Sequence, residues 1–264
     1  MSLPLRLIDT GLRPARWNVA MTAALTELHC AGRIPDTVRF HVYPRCVLIG
    51  RHQILSQAAN LDRCRTQSVE IARRVTGGGA VYMSPGVLAW DLLMSRKSLG
   101  ALDEAAAKIC GAVAAGLSRL GVVARFRPAN EIEIGGRKVS GASGCFEGSS
   151  LIYQGTVLID ADFEEMADVL SLPEAHLRER LTALKEALGR VPHLQEIMNA
   201  IGSGISGAFQ RPLERSAATA EELDLAAKLL AAEIGSDAFV EGADVTDMSA
   251  ARTRPTAFAQ GSRP

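Results

Sequence analysis

The amino-acid sequence predicts an α+β fold in which a mixed, mostly antiparallel sheet is flanked by helices. Strand-like runs occur in groups, and amphipathic helical stretches separate these groups instead of following single strands. The hydrophobic fraction of 47% over 264 residues is ample for one large core that needs no disulfide bonds.

The chain starts with a short strand and a long helix. LRLID is the strand, and ARWNVAMTAALTELHCAG is the helix, because its apolar residues recur at intervals of three and four. TVRFHVYP and CVLIG then predict two strands that pair across a proline-containing turn.

A glycine-rich connection joins the next strands. The weakly patterned stretch RHQILSQAANLDRCRTQS leads into the strand VEIARRV, and a triple glycine separates that strand from AVYMS and then GVLAWDLLMS. Because the glycines connect two strands and open no helix, the segment is not a βαβ unit.

Helical and strand-rich blocks alternate in the second half. The helix ALDEAAAKICGAVAAGLSRLG precedes a strand-rich block over residues 122–160. Three helices are then predicted: ADFEEMADVL, HLQEIMNAIGSGISGAFQ and TAEELDLAAKLLAAEIG, the last opened by a capping box of Thr219 and Glu222. We expect one domain over residues 1–245 and a flexible tail over 246–264.

Charge and cysteine content narrow the function classes. Lys and Arg together number 29, as do Asp and Glu, so no net field draws the chain to nucleic acid or an anionic membrane. The five cysteines form no C-x-x-C pair and no His-Cys spacing of a zinc site, so we predict no metal site. With no secretory leader and no apolar run of membrane-spanning length, we expect a soluble cytoplasmic protein.

The stretch IARRVTGGGAVYM places two arginines before three glycines. Glycines accept positive φ and allow backbone N–H groups to approach an anionic oxygen. Because side chains alternate along a strand, only one of Arg73 and Arg74 can face a ligand, and we predict Arg74. The alternative is a glycine-rich turn with two solvated arginines. The spacing matches neither the P-loop nor the dinucleotide-binding motif.

A second cation is flanked by glycines in NEIEIGGRKVSGASG. Lys138 follows a Gly135-Gly136 turn and precedes small residues that let a ligand lie against the backbone. A lysine there is a compact charge suited to a carboxylate or an α-phosphate. The alternative is an ordinary hairpin with surface cations.

Taken in order, RRVTGGGAVY, NEIEIGGRKVSG and YQGTVLIDADFEEMADVL resemble the lipoate–protein ligase family, within the wider group of biotin ligases and octanoyltransferases. The family pattern is close to R-R-x-[ST]-G-G-G-A-V, then N-D-I-x-x-x-x-[KR]-K-[IV]-[SA]-G-[SA]-A, then H-G-[ST]-L-L. The likeness covers roughly residues 6–240, and three ordered motifs are more specific than any one of them. It implies a catalytic domain of the biotin/lipoate ligase type.

The resemblance also implies an activity: ATP-dependent activation of lipoate, or octanoate, to an acyl-AMP, and transfer to one lysine of a lipoyl domain or H-type protein. ATP, Mg²⁺ and lipoate would take part, and Lys138 would be catalytic by stabilising negative charge. The residues implied in lipoyl and adenylate binding are Arg74, Gly77, Gly78, Gly79, Ala80, Val81, Asn130, Ser140, Gly141, Ala142, Gly155 and Thr156. CVLIG and GVLAWDLL would hold the acyl chain, with Trp90 an ordinary core residue by default.

Several positions depart from the family pattern. Met83 and Ser84 replace a usual His-Asp pair, Gln154 replaces a His, and Glu131 replaces an Asp. The accessory domain that follows the catalytic core in many such ligases is not expected here. If ATP activation needs that domain, a separate subunit must supply it. These departures predict a divergent branch whose acceptor or acyl substrate differs.

Two other functions stay open. An ATP-independent octanoyl or lipoyl transferase needs a thiol nucleophile. In similar octanoyltransferases the cysteine lies in the segment matching ARFRPAN, which has none here, so Cys145 is the candidate, against its alternative as a small buried hydrophobe. The third possibility is a non-catalytic lipoyl-binding subunit.

Overall fold

The computed structural model describes residues 3–242, so the predicted tail lies outside the described residues. The strands in this range are β1 (Leu5–Leu12), β2 (Thr37–Val42), β3 (Cys46–Ile49), β4 (Glu70–Arg73), β5 (Val81–Met83), β6 (Val87–Ser95), β7 (Ala124–Arg127), β8 (Glu131–Ile134), β9 (Arg137–Glu147), β10 (Ser150–Leu158) and β11 (Leu213–Arg215).

The α-helices in the same range are α1 (Ala15–Cys30), α2 (Leu55–Ala58), α3 (Leu61–Thr66), α4 (Leu102–Ser118), α5 (Phe163–Leu170), α6 (Glu174–Arg180), α7 (Leu184–Leu188), α8 (Leu194–Phe209), α9 (Ala220–Leu229) and α10 (Asp237–Glu241). The Thr219–Glu222 capping box is formed at the start of α9, as predicted. Each helix of residues 3–242 is too short or too polar to cross a bilayer.

An eight-stranded sheet forms the centre of the fold, in the order β11-β1-β2-β6-β10-β9-β8-β7. Strand β1 pairs in parallel with β2 and with β11, and the other neighbouring pairs are antiparallel. The predicted α+β class with a mixed, mostly antiparallel sheet is therefore confirmed.

Helices cover both faces of this sheet. On one face, α4 and α8 pack over Trp90 and Tyr153, whose rings stack 6.2 Å apart. On the opposite face, Met21 and Leu25 of α1 pack against Ile152 of β10. Because side chains alternate along β6 and β10, residues such as Ala89 and Leu158 also point to the α1 face, where the smaller sheet packs on them.

The smaller sheet has three strands in the order β4-β3-β5. The predicted pairing of TVRFHVYP with CVLIG is wrong, because β2 lies in the larger sheet and β3 in the smaller one. Both edges of β2 are already occupied, by β1 and by β6, so no edge remains for β3. Strand β3 pairs with β4 on one side and β5 on the other, and the triple glycine therefore crosses over β3.

The weakly patterned stretch before β4 also folds into regular structure. It contains the short helices α2 and α3, and the side chain of Asn60 caps α3 by accepting a hydrogen bond from the Arg63 N–H at 3.1 Å. Helices this short show too few turns for their apolar period to stand out in the sequence.

Candidate active site

A cavity of about 360 Å³ lies between the two sheets. Strands β2, β6, β9 and β10 of the larger sheet form its floor. The glycine-rich connection before β5 forms one wall, and the segment from α5 through α6 forms the other. A volume of this size and an apolar wall with a few polar groups are typical of a small-molecule site.

The glycine-rich loop is held by Arg74, whose guanidinium donates to the carbonyl oxygens of Gly77 at 2.7 Å and Gly79 at 2.8 Å. Gly78 has a φ of +97°, and a Cβ on Gly50 would lie 1.9 Å from the Gly78 carbonyl oxygen. Both positions therefore require glycine. Burial lowers the pKa of Arg74 to about 10, so the side chain remains cationic at neutral pH.

Arg73 points away from the cavity and is 4% exposed. The predicted alternation thus places Arg74, and not Arg73, in the cavity lining. The Arg73 guanidinium joins the loop after β3 to α10 by donating to backbone carbonyls of Gly50, Arg51, Gln53, Phe239, Val240 and Glu241.

Lys138 lies near the start of β9, at the edge of the cavity. The turn before it uses Gly135 and Gly136 with φ of +59° and +79°, as the sequence predicts. The Lys138 ammonium pairs with Oε1 of Glu131 at 3.0 Å. A Cβ on Gly141 would lie 2.7 Å from that ammonium, so the charge stands directly over the glycine.

The helical segment over the cavity is tied to this strand. The backbone N–H of Thr182 donates to the Lys138 carbonyl at 2.9 Å, and Leu181 forms a β-bridge with Lys138. Leu181 and Leu177 line the cavity. The lysine and the apolar wall are therefore positioned by the same backbone contact.

A buried polar network forms part of the cavity floor and extends beneath it. Oδ2 of Asp91 accepts from Arg39 at 3.1 Å and from Thr22 at 2.8 Å, and Oδ1 accepts from the Gln154 amide at 2.8 Å. The Gln154 oxygen in turn accepts from Thr76 at 2.9 Å. Burial raises the pKa of Asp91, but its basic neighbours and these hydrogen bonds outweigh burial and hold it below its usual value.

Most of the predicted site residues come together here. The cavity is lined by Arg74, Gly78, Gly79, Ala80, Val81, Lys138, Ser140, Gly141, Ala142, Gly155 and Thr156. Gly77 and Asn130 lie outside the lining. Asn130 instead accepts a hydrogen bond from the Tyr153 hydroxyl at 3.0 Å, and its carbonyl accepts from the Ala142 N–H. It therefore positions the strands next to Lys138.

The departures from the family pattern have distinct locations. Met83 is fully buried and lines the cavity, so an apolar thioether stands where a histidine is usual. Gln154 both lines the cavity and joins the Asp91 network. Ser84 lies outside this cavity, and its hydroxyl accepts from the Gly86 N–H at 3.3 Å in the turn before β6. Glu131 is the ion-pair partner of Lys138.

Other lining residues were not predicted. The apolar wall is made by Met166, Leu170, Leu172, Leu177 and Leu181, and β2 with its following turn adds His41 and Tyr43. The wall residues follow an amphipathic helical pattern that reads as ordinary core. His41 could have been found from the alternation of β2, since it lies two residues after buried Arg39 on the same face.

The described cysteines are free, and none of them lines the cavity. Cys145 packs with the cluster under α1, and burial raises the pKa of its thiol to about 11. Burial also raises the pKa of Cys30, Cys46, Cys64 and Cys110. A thiol with a raised pKa is protonated at neutral pH and is a poor nucleophile.

No group of three or more His, Cys, Asp or Glu side chains within residues 3–242 is arranged to hold a metal ion. The one carboxylate in the cavity lining, Asp91, has both oxygens occupied by hydrogen bonds within the network. Among the described residues, the cavity therefore presents fixed positive charge and offers no protein cage for a cation.

Comparison with known proteins identifies the family. The sequence profile of the lipoyl protein ligase A/B catalytic domain matches residues 14–206. The octanoyltransferase LipM of Symbiobacterium thermophilum is 30% identical over 88% of this chain and 96% of its own. The lipoate-protein ligase A subunit 1 of Thermoplasma acidophilum is 26% identical over 73% of this chain and 79% of its own.

Among solved structures, a lipoate-protein ligase A bound with ATP is 26% identical and superposes with a TM-score of 0.82 over 92% of this chain and 99% of its own. Similar proteins thus include both ligases and octanoyltransferases. From its sequence profile, its relatives and its fold, this chain belongs to the lipoyl protein ligase A/B catalytic-domain family.

Proposed function

We propose that this protein is the catalytic part of an ATP-dependent lipoate–protein ligase, which forms lipoyl-AMP and transfers the lipoyl group to a lysine of an acceptor protein. One observation carries the proposal: the cavity is lined by two cations, Lys138 and Arg74, and by no described cysteine. Positive charge serves an acyl-phosphate intermediate, whereas transfer through an enzyme thioester would require a thiol at the same place.

Lys138 would act by electrostatic stabilisation. An ammonium carries three donors, so Lys138 can keep its contact with Glu131 and still donate to a substrate carboxylate and an α-phosphate oxygen. As the carboxylate attacks phosphorus and pyrophosphate leaves, negative charge on the phosphoryl oxygens is stabilised. The same charge would assist when the acceptor lysine attacks the acyl carbon and AMP leaves.

The glycine-rich loop would lie against the adenylate. The Arg74 guanidinium donates hydrogen bonds to the carbonyl oxygens of Gly77 and Gly79. These oxygens are therefore not left free to repel a phosphate. Gly79 and Ala80 follow in the lining and leave the backbone accessible to the ligand.

The apolar wall would protect the intermediate. Met166, Leu170 and Leu177 lie on the segment that covers the cavity. An acyl chain packed against them excludes water from the mixed anhydride, which would otherwise hydrolyse before the acceptor arrives.

Magnesium would enter with the triphosphate. The cavity provides no group of protein ligands among the described residues, and Mg²⁺ is commonly bound through substrate phosphates with few protein contacts. Its contribution when bound is to neutralise phosphate charge; Lys138 and Arg74 are the chain's own contribution to that task.

The names of two relatives bear on the proposal. The Thermoplasma relative is named as subunit 1, which is consistent with a separate accessory subunit for this chain as well. The acceptor would be a lipoyl domain or an H-type protein. The LipM relative is named as an octanoyltransferase. The competing function for this chain is octanoyl transfer without ATP, and the test must separate the two.

The first test measures lipoate-dependent exchange of labelled pyrophosphate into ATP, which reports adenylate formation without any acceptor. Intact-protein mass spectrometry of an apo lipoyl-domain or H-type acceptor then measures transfer, with lipoate and Mg²⁺, with and without ATP. We expect exchange, and a lipoyl mass increase only with ATP.

Variants distinguish the mechanisms. Lys138→Ala should reduce exchange at least about 100-fold, because it removes a charge aimed at the developing negative charge. The exposed Lys97→Ala is the matched control and should leave exchange unchanged. Acyl transfer from an octanoyl carrier without ATP, abolished by Cys145→Ala, would replace the proposal with the transferase mechanism. Lipoate binding without exchange or transfer would indicate a non-catalytic subunit.

A further inference from the structure

His41 is a buried polar side chain with no partner. It is 1% exposed and lines the cavity, and neither ring nitrogen has a hydrogen-bond partner within residues 3–242. Burial lowers the pKa of His41 to about 3, so the ring is neutral at physiological pH. A neutral imidazole has one hydrogen-bond donor and one acceptor. Burying both away from water without a hydrogen-bond partner costs free energy.

Neighbouring groups do not satisfy this ring. The Asp91 carboxylate is occupied by Arg39, Thr22 and Gln154, and the guanidinium of Arg39 is directed to the same network. Tyr43 contributes a ring contact at 5.1 Å between centroids and no hydrogen bond. His41 lines the cavity, but both unpartnered ring nitrogens are buried, so the ring must rotate to present one of them to whatever fills the cavity.

The sheet register places His41 opposite Lys138. His41 pairs with Ala89 on β6, Ala89 pairs with Thr156 on β10, and the Thr156 hydroxyl donates to the Gly141 carbonyl on β9 at 3.5 Å. These residues form one row across four adjacent strands, so His41 lies about 14 Å from Gly141. The Lys138 ammonium stands over Gly141, at the other end of the row.

An eight-carbon acid matches this span. Its seven C–C bonds are about 1.5 Å each, and because an extended chain is zigzag they span roughly 9 Å from end to end. With the carboxylate in contact with Lys138, the far end of the chain lies within one contact distance of His41. Ala89, small and in the middle of the row, leaves space for the methylene chain.

We propose that His41 is the residue that selects the acyl chain, by hydrogen bonding to a polar atom near the chain's distal end. The inference rests on the proposed function of the cavity. An unsubstituted alkyl chain would expel water and leave both ring nitrogens unpaired. A dithiolane ring presents two sulfur atoms, which are weak acceptors, and a terminal hydroxyl can pair with either nitrogen. The cavity is therefore selective for lipoate over octanoate.

Equilibrium binding by calorimetry tests this without turnover. The ligands are lipoate and octanoate, together with 8-hydroxyoctanoate and nonanoate, which differ only in a terminal hydroxyl or methyl group. We expect the unmodified protein to bind lipoate at least about tenfold more tightly than octanoate. In His41→Leu, the affinity ratios of lipoate to octanoate and of 8-hydroxyoctanoate to nonanoate should each fall about tenfold. The exposed His52→Leu is the matched control and should preserve both ratios.

Each result has a defined meaning. The inference is overturned if the unmodified protein binds octanoate as tightly as lipoate and nonanoate as tightly as 8-hydroxyoctanoate. This result does not depend on whether His41→Leu folds. Equal ratios in His41→Leu and the unmodified protein would overturn it as well. If ATP-dependent ligation persists in either case, only the role of His41 is lost. If none of the four acids binds, both the inference and the proposed function fail.

Discussion

Replacing Asp91 with Asn should destabilise the protein through Arg39. Asn keeps the shape of the side chain but removes the negative charge, while the Arg39 side chain is 0% exposed and cannot reach water. Removing one member of a buried ion pair leaves the other charge uncompensated and costs about 3–5 kcal/mol. The amide would also place N–H groups toward donors of Arg39 or Gln154, which now face carboxylate oxygens.

The measurement is urea unfolding at neutral pH, comparing the free energy of unfolding of each variant. Asp62→Asn is the matched control, because Asp62 pairs with Arg65 on the surface with 88% of its side chain exposed. This exposed pair should contribute less than about 1 kcal/mol. A double-mutant cycle that adds Arg39→Met should give a coupling of about 2 kcal/mol between positions 39 and 91.

The reasoning would be refuted if Asp91→Asn cost no more than Asp62→Asn. The remaining acceptors of Arg39, among them Asn18 Oδ1 at 2.7 Å, would then be sufficient for its charge. An unchanged m-value is required for the comparison, since a changed one would mean that the unfolded or native ensemble had altered.

Two more predictions concern pH and packing. Burial raises the pKa of Asp36, but hydrogen bonds from His29, Arg211 and a backbone N–H outweigh burial and lower the pKa from 3.8 to about 2. The ionised Asp36 therefore stabilises the fold above about pH 4, and this contribution to the free energy of unfolding is lost as the pH falls toward 2. Asp36→Asn should lower the free energy of unfolding by about 2 kcal/mol at pH 7 and should make it depend less steeply on pH below about pH 4. The same pH dependence in the variant and the unmodified protein would contradict this prediction. Gly116→Ala should cost about 1–3 kcal/mol in urea unfolding, because its Cβ would lie 2.5 Å from a backbone oxygen of α8. Gly111→Ala in the same helix meets nothing within 4 Å and should be neutral or stabilising, so equal effects would refute the packing argument.

Local features of the fold could be predicted from the sequence because they depend on neighbouring residues. The Gly135-Gly136 turn requires two positive φ values, and the Thr219 capping box requires two side chains three positions apart. The division into two sheets could not be predicted. Strand β3 carries the same apolar pattern whether it pairs with β2 or with β4, and the choice depends on which edges β1 and β6 already occupy.

The same distinction holds for the cavity. Arg74 and Lys138 could be predicted because each lies beside glycines in a short motif, and alternation distinguished Arg74 from Arg73. The contact of Asn130 with a ligand stays a prediction; in the structure its side chain accepts a hydrogen bond from Tyr153 and lies outside the cavity lining. His41 has no local motif; only the tertiary structure reveals that its ring has no partner.

The contacts of Arg73 give the two ends of the fold different sensitivity to acid. Its guanidinium is surrounded by backbone carbonyls, which accept no proton in the physiological range, so the attachment of α10 beside the glycine-rich loop contains no titrating acceptor. At the opposite edge, the chain before β2 is fastened through the carboxylate of Asp36, which does titrate. Acidification toward pH 2 therefore removes the Asp36 contacts near β1 and β11, while the carbonyl contacts of Arg73 are unchanged.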